Sequence, residues 1–236
     1  MTVGNPDSKF CVAAHTSVAS AGVSDHTAGT VSPAFTETMR MVVGQRGIRG
    51  DAVGPAMAIA EVPLFTADGN WATLRAYAGP LLVIQFVRYF GCLPCQVYLR
   101  ELDVLAVELA ALGARAIAVG GSADYQARWL RDNGVTMPLL LDPTQELRRA
   151  VGFGDLTRRQ LLAPRGMRKY VAAVLSGVRP QRPTSDVTKS PEIAILDAAL
   201  AVRWTYEGTA LGDYPPLETV LEVAARERSR DASRGS

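Results

Sequence analysis

Hydrophobic positions follow two periods in the middle of the chain, and together they predict strands and helices in alternation. Residues 81–88 are a nearly continuous apolar run with branched side chains, which is typical of a buried central strand. Leucines then recur at helical spacing from Leu99 to Leu112, and Gly113 is placed to end that helix. The pattern continues with strands at 115–119 and 138–141 and with helices at 123–132 and 143–150. Such alternation predicts a parallel sheet with helices on both faces.

Two further pairs of strands flank this alternating region. Residues 61–65 and 72–75 surround a turn signal, which predicts a hairpin. Residues 192–197 and 201–206 are joined too closely for a crossover, so they are predicted to pair antiparallel. A less regular stretch at 153–190 contains a predicted helix at 166–176, and a closing helix is predicted at 216–227. The predicted fold class is therefore α/β, with a central mixed sheet flanked by helices.

The two ends of the chain lack these patterns. Residues 1–55 are rich in small and polar side chains and then in glycine, so we expect a disordered or weakly ordered tail. Residues 56–228 form the predicted domain, and residues 229–236 are expected to be a second disordered tail. Met39 and Met41 are alternative starts for the natural chain.

Composition points to no particular class of macromolecular partner. The 236 residues are 48% hydrophobic and 20% charged, and the formal net charge is +2. A nearly neutral chain has no general attraction to nucleic acid or to a membrane surface. No apolar run approaches the roughly 18 residues of a membrane helix, and the apolar stretch at 10–21 is too short for a signal peptide. We therefore expect a cytoplasmic protein with no nucleic-acid or membrane partner.

The candidate chemistry lies where the buried strand gives way to the long helix, at Cys92-Leu93-Pro94-Cys95. Unpaired amides and the helix dipole stabilise a thiolate there, so the pKa of Cys92 is expected to fall below its free value of roughly 8.5. Cys95 lies about one helical turn further on, within reach of a mixed disulfide at Cys92. Pro94 suits the first turn and fixes the loop. A half zinc site and two structural cysteines in a core remain as alternatives.

The positions of the remaining cysteine, the histidines and Arg88 limit the possible reactions of this motif. The third cysteine, Cys11, and both histidines, His15 and His26, fall in the predicted tail, so a zinc site has no second half and a Cys–His dyad has no partner in the domain. Arg88 ends the strand and is a candidate to stabilise a thiolate or a peroxide oxygen; the alternative is an exposed strand-end charge. Tyr89 and Phe90 are expected to line the site; the alternative is that they are ordinary packing residues.

The stretch from Phe86 to Cys95, followed by Leu99-Arg100-Glu101-Leu102, resembles the Phe-x-Arg-x-x-Gly-Cys-x-x-Cys signature of one family. That family is the peroxiredoxin-like branch of the alkyl hydroperoxide reductase / thiol-specific antioxidant group, and the likeness covers roughly residues 57–226. The resemblance implies a thioredoxin-like fold and a thiol-dependent reductase of peroxides or disulfides. It also implies that Cys92 attacks, that Cys95 resolves, and that an external thiol donor such as thioredoxin restores the pair, with no bound cofactor or metal.

The resemblance extends to a proline at position 191, but it does not hold at positions 85 and 89. Thioredoxin-fold proteins carry a cis-proline opposite the reactive cysteines; Pro191 matches it, and Ser190 would offer backbone groups to a bound substrate. The alternative is that Pro191 simply starts a strand. Typical peroxiredoxins have Pro-x-x-x-Thr/Ser-x-x-Cys, but Gln85 and Tyr89 stand at those positions here. Fast peroxide reduction of the usual kind is therefore not implied.

Two further interpretations follow from the stretch 156–182, which is basic and almost free of acids. It is either a solvated surface or a face that docks an acidic donor protein or an anionic substrate. A separate hypothesis is that the protein is a redox sensor or binding protein with a non-catalytic disulfide, and this basic stretch would then be its interaction surface. A nucleotide cofactor is not expected, because no G-x-G-x-x-G motif is present.

Overall fold

The computed structural model describes residues 58–121, 123–184 and 187–234. Its seven strands are β1 (Leu64–Thr66), β2 (Trp71–Ala72), β3 (Leu81–Phe86), β4 (Ala114–Val119), β5 (Leu139–Leu141), β6 (Glu192–Asp197) and β7 (Val202–Glu207). Its helices are α1 (Leu93–Ala111), α2 (Asp124–Asp132), α3 (Glu146–Val151), α4 (Arg158–Leu161), α5 (Pro164–Leu175) and α6 (Leu217–Arg234), with short 3-10 turns at Ile59–Glu61 and Leu74–Tyr77. The tail expected at 1–55 lies outside the described residues.

All strands join one sheet in the order β2-β1-β5-β4-β3-β6-β7. The pairs β3–β4 and β4–β5 are parallel, because a helix crosses over between their strands. The hairpin β1–β2 and the pair β6–β7 are antiparallel, and so is β3–β6. The mixed sheet and its antiparallel margin confirm the predicted fold class.

Strand β3 lies in the middle of the sheet and separates two apolar cores. Leu81 and Val83 face a core shared with α1, α2 and α6, whereas Leu82 and Ile84 face a core shared with α3. This alternation follows from the twofold side-chain period of a strand. Every residue of β3 is buried, as predicted, so its end is a fixed platform for the loop that follows.

Two helices differ from the prediction. The helix expected from residue 143 begins at Glu146, because the Asp142 carboxylate accepts the amides of Glu146 and Leu147 across an intervening turn. The closing helix runs to Arg234, so residues 229–234 are helical rather than the disordered tail that we expected. The buried Glu227 carboxylate lies 2.6 Å from Arg230 and 3.6 Å from Arg203, and these contacts anchor the added turns.

The segment between α3 and β6 lies over the end of β3. We call residues 157–184, which include α4 and α5, the cover segment. Helix α5 begins two residues before the predicted 166, since Pro164 opens its first turn. Gly166 and Ala173 are the buried residues of this segment, and most of its other side chains are exposed. No described helix is long and apolar enough to cross a membrane.

Candidate functional site

The reactive motif sits on the turn that connects β3 to α1. The chain leaves the sheet after Phe86, the amide of Cys92 donates to Tyr89 O (3.1 Å), and α1 begins at the next residue. Cys92 is therefore the N-cap of α1, and Pro94 lies in its first turn, as the sequence predicted. Unpaired amides at this end of α1 provide a positive electrostatic environment.

The two cysteine sulfurs of the motif are in direct contact. Cys92 Sγ and Cys95 Sγ are 2.7 Å apart and are joined by a hydrogen bond, and both residues are free thiols. Neither has any exposed surface. Two thiols in contact are placed to share a proton and to form a disulfide with little movement of the backbone.

Arg88 is buried beside this pair rather than exposed at a strand end. Only 5% of the residue is accessible, and its Nη1 atom lies 3.9 Å from Cys92 Sγ. Its Nη2 atom donates to Val187 O, which fixes the guanidinium. Its Nε atom is buried and has no hydrogen-bond partner among the described residues. That donor is free for an oxygen of a bound molecule.

The electrostatics of the pair correct the expectation for Cys92. Burial raises the pKa of Cys92 well above its usual value, and the Cys95 sulfur raises it further. Burial also raises the pKa of Cys95, but the Cys92 thiol, Arg88 and Tyr214 outweigh it and bring that pKa to about 6. The first proton therefore leaves from Cys95, because in this arrangement the helix terminus acts on a pair instead of one thiol.

Tyr214, which precedes α6, is a site residue that the sequence did not indicate. Its hydroxyl donates to Phe86 O (3.0 Å) and lies near the Cys95 sulfur, whose pKa it lowers. The ring stacks on Tyr98 with centroids 4.4 Å apart. Gln85 completes this side, since its Nε2 atom donates to Cys95 O (3.2 Å). Tyr214 is far from the motif in sequence, so no local pattern marks it.

The loop before Cys92 is held by a side chain from α2. Gly91 N donates to Gln126 Oε1 (3.0 Å), and Gln126 Nε2 donates to Arg182 O (2.9 Å) in the cover segment. A Cβ atom on Gly91 would lie 2.6 Å from Gln126 Nε2, so this close approach requires glycine. Tyr89 is buried and lies beside Tyr170 of α5, whose pKa it influences. Tyr89 thus joins the site to the cover segment.

Ser190 and Pro191 do not form the substrate edge that the resemblance implied. The peptide bond between them is trans, as are all the peptide bonds of the described residues. The Ser190 carbonyl accepts from Arg148 Nη1 (2.9 Å), and the Pro191 carbonyl accepts from Gly208 N (2.9 Å). Both carbonyls are therefore occupied within the fold. Pro191 immediately precedes strand β6, which fits the alternative role.

Ser190 belongs instead to a buried polar network around Arg148. The guanidinium of Arg148 pairs with the Glu192 carboxylate, and its Nη2 atom donates to Val87 O (2.9 Å). The Ser190 hydroxyl also donates to Glu192. Burial raises the pKa of Glu192 to about 7, although Arg148 and Ser190 act to lower it. This network supports the backbone immediately before Arg88, and no local sequence pattern indicates it.

The described residues offer no alternative centre for a metal. No group of three or more His, Cys, Asp or Glu side chains in this part of the chain is arranged to hold an ion. Cys11 and the histidines lie outside the described residues, so the structure does not place them.

The site lies in a region that the chain shares with known proteins. The model of the AhpC/TSA family matches residues 54–167. Residues 54–167 are therefore similar to the AhpC/TSA family. The match includes β3, both cysteines and the beginning of α5, and the chain is peroxiredoxin-like in this region. No curated protein sequence matches the chain.

A solved structure shows the same fold, and a second is similar. A mutant of Xanthomonas campestris peroxiredoxin Q is 19% identical, with a TM-score of 0.50 over 76% of this chain and 99% of that one. Peroxidoxin BcpB from Mycobacterium tuberculosis is 15% identical, with a TM-score of 0.47 over 74% of this chain and 96% of that one. The fold is thioredoxin-like, as the resemblance implied.

Proposed function

We propose that the protein is a thiol-dependent reductase of peroxides or disulfides whose redox centre is the Cys92–Cys95 pair. Cys92 attacks the substrate, Cys95 resolves the product, and an external dithiol such as thioredoxin reopens the resulting disulfide. The observation that carries the proposal is the contact of the two sulfurs, 2.7 Å apart at the N-terminus of α1. The match of residues 54–167 to the AhpC/TSA family model supports it.

The shared proton gives each sulfur a role. With the pKa of Cys95 near 6, the pair holds one thiolate at neutral pH. Cys95 accepts the Cys92 proton across their hydrogen bond as Cys92 attacks, and the guanidinium of Arg88 stabilises the charge that forms on Cys92. Cys92 is the attacking residue because it lies on the Arg88 side of the pair.

The peroxide reaction balances with these groups. The Cys92 thiolate takes the outer oxygen of the peroxide, the O–O bond breaks, and the alkoxide receives the proton from Cys95. The Cys95 thiolate then attacks the Cys92 sulfenic acid and expels hydroxide, which leaves a disulfide. Two electrons pass from the thiols to the peroxide, and two electrons from an external dithiol complete the cycle.

The oxygen-binding groups differ from those of a typical peroxiredoxin. The amides of Gly91 and Cys92 already donate to Gln126 and to Tyr89, so neither is free for a peroxide. Arg88 Nε remains as the available donor. We therefore propose a peroxide reductase of moderate rate that also accepts disulfides.

The test is turnover of the reduced protein, with Cys11→Ser to remove the third thiol. Hydrogen peroxide, cumene hydroperoxide and a small disulfide are supplied in turn, with thioredoxin and its reductase as the electron source. We expect catalytic turnover of at least one substrate and a Cys92–Cys95 disulfide by mass spectrometry. A protein that oxidises once and that neither thioredoxin nor dithiothreitol reduces again is not this enzyme.

Two variants assign the roles. Cys95→Ser should leave a sulfenic acid on Cys92 that a dimedone probe traps, whereas Cys92→Ser should give no trapped species. The reverse labelling would mean that Cys95 attacks, and the order of the two steps would have to be exchanged.

A second candidate function rests on the burial of both thiols. A pair with no exposed surface also suits a redox sensor, in which oxidation changes the protein once and a partner reads the change. The turnover assay separates the two, since a sensor gives one disulfide per chain and no continuing consumption of the electron donor.

A further inference from the structure

Helix α5 carries an apolar stripe on its outward face. Met167 is 45% exposed, and Val171, Val174 and Leu175 are 54%, 50% and 81% exposed. These residues are three or four positions apart, so they lie on one side of the helix, away from the buried Gly166 and Ala173. Leu162, just before α5, extends the apolar surface. Contiguous apolar exposure of this kind marks an interaction site.

The cover segment that carries this stripe is also strongly positive. Residues 156–185 contain no Asp or Glu. Five exposed arginines of the cover segment have no ion pair with another described residue: Arg158, Arg159, Arg168, Arg179 and Arg182. An apolar stripe among unpaired cations is complementary to an acidic protein that presents an apolar patch.

Helix α5 is also connected to the thiol pair. Tyr170 lies beside Tyr89, three residues before Cys92. Lys169 Nζ donates to Gly212 O (2.7 Å), and a Cβ atom on Gly212 would lie only 2.5 Å from Pro94 Cβ. A movement of α5 therefore acts directly on the loop and on the first turn that hold Cys92 and Cys95.

The inner face of α5 borders an open pocket. This pocket of about 350 Å³ lies between α5 and α1 and is lined by Pro94, Tyr98, Lys169 and Ala173 among others. The Tyr98 hydroxyl is buried and has no hydrogen-bond partner among the described residues. Gly166 and Ala173 are the buried residues of α5, and its other side chains are largely exposed, so displacing α5 costs less free energy than displacing a core helix.

From these observations we propose that the outward face of α5 is the docking surface for an acidic protein dithiol, which displaces α5 and re-reduces the Cys92–Cys95 disulfide. This proposal rests on the proposed function. A partner thiolate attacks Cys92 Sγ, the disulfide breaks and Cys95 leaves as a thiolate. The second partner thiol then attacks the mixed disulfide and releases Cys92, so that the partner ends as a disulfide and supplies both electrons.

A protein donor fits this surface better than a lipid bilayer does. The exposed apolar positions of α5 span a helix of 12 residues, and its tyrosine, Tyr170, is partly buried beside Tyr89. The cysteines beneath the helix have no exposed surface, so their reductant needs a way to move α5. A bilayer supplies no electrons to a disulfide, whereas a docked dithiol does.

The test compares two reductants on the full chain. Thioredoxin with its reductase serves as the protein donor, and dithiothreitol serves as a donor that needs no docking surface. The double variant Met167→Ser/Val171→Ser and the single variant Arg168→Glu should each raise the KM for thioredoxin roughly tenfold. Neither should change the rate with dithiothreitol. Added salt should weaken the thioredoxin reaction of the wild type more than that of Arg168→Glu.

The matched control is Val104→Ser/Val107→Ser, two exposed valines on α1 that are 80% and 77% accessible. It should behave as wild type with both donors. Unchanged KM values in the α5 variants, or no thioredoxin-dependent turnover in a wild type that dithiothreitol reduces, would overturn the docking proposal and leave the proposed function standing. Binding to anionic vesicles or self-association that the α5 variants abolish, with an unchanged thioredoxin KM, would overturn it in favour of those occupants. Failure with dithiothreitol as well would instead refute the proposed function.

Discussion

We call strand β3, its neighbours β4 and β6, and the Arg148 network the platform. The platform lies beneath the cysteines and is mostly buried, whereas the cover segment above them is mostly exposed. Strand β3 is buried along its whole length and pairs over six residues with β4 on one side and with β6 on the other. The cover segment crosses the same site with two buried residues, Gly166 and Ala173, and with an exposed apolar stripe.

The platform fixes the position of the two cysteines, and the cover segment controls access to them. Main-chain hydrogen bonds and the Arg148 network fix where Cys92 and Cys95 lie. A few side-chain contacts, such as Lys169 to Gly212, decide whether anything reaches them. Stability should therefore be concentrated in the platform, and changes in the cover segment should affect exchange with partners more than folding.

The largest effect is expected from Arg148→Met in the platform. Loss of the guanidinium leaves the buried Glu192 carboxylate without its partner, which costs about 3–5 kcal/mol of unfolding free energy. Denaturant unfolding measures the loss. The control is Arg149→Met, an exposed neighbour on the same helix, which should change stability by no more than about 0.5 kcal/mol. Equal effects of the two variants would break the contrast between platform and surface.

A smaller loss is expected where the platform meets the cover segment. Gly212 has φ +67° and touches Pro94, so Gly212→Ala adds a clash to backbone strain and should cost about 2–3 kcal/mol. Gly134 has φ +91°, and a Cβ atom there would meet no atom within 4 Å, so Gly134→Ala should cost only about 1 kcal/mol. Thermal unfolding of both variants checks this order. A reversed order would show that Gly212 does not define the packing of Pro94.

Removal of the Arg88 charge beside the sulfurs should have a moderate effect on the thiol pKa and little effect on the unfolding free energy. Arg88 lowers the pKa of both cysteines, so Arg88→Met should raise the first thiol pKa of the pair above its value of about 6. Thiolate absorbance against pH measures the shift. Arg115→Met, on the exposed side of β4, is the control and should leave the titration unchanged.

The smallest effect on stability is expected at the outward face of α5. Leu175 is 81% exposed, so Leu175→Ser should change the unfolding free energy by no more than about 0.5 kcal/mol. Denaturant midpoints of the variant and the wild type provide the comparison. A loss above about 1 kcal/mol would mean that α5 is part of the platform after all.

Local patterns predicted the elements whose causes are local. The apolar run of β3, the leucine spacing of α1 and the short link between β6 and β7 were sufficient to place them. The Cys-x-x-Cys motif was found for the same reason. The end of α6 was missed because Arg203, from β7, helps to anchor it through Glu227.

The parts of the site that escaped prediction depend on contacts between distant residues. Tyr214 and Arg148 reach the motif from the loop before α6 and from α3. The pKa of Cys95 is lowered because the neighbouring Cys92 thiol stabilises its thiolate. The sequence argument considered only the helix end and one cysteine, so it did not include this interaction. The role implied for Pro191 is wrong because its carbonyl and that of Ser190 are occupied by residues far away in sequence.

The most direct test of the central claim is the ultraviolet thiolate absorbance of the reduced Cys11→Ser protein as a function of pH. Because the pKa of Cys95 is lowered, the thiolate should be present at neutral pH and should be lost as the pH falls through about 6. In Cys92→Ser and Cys95→Ser the remaining thiol loses its partner, and this transition should move to higher pH. A wild type that forms no thiolate below roughly pH 8.5, the ordinary value for cysteine, would contradict a shared-proton redox pair.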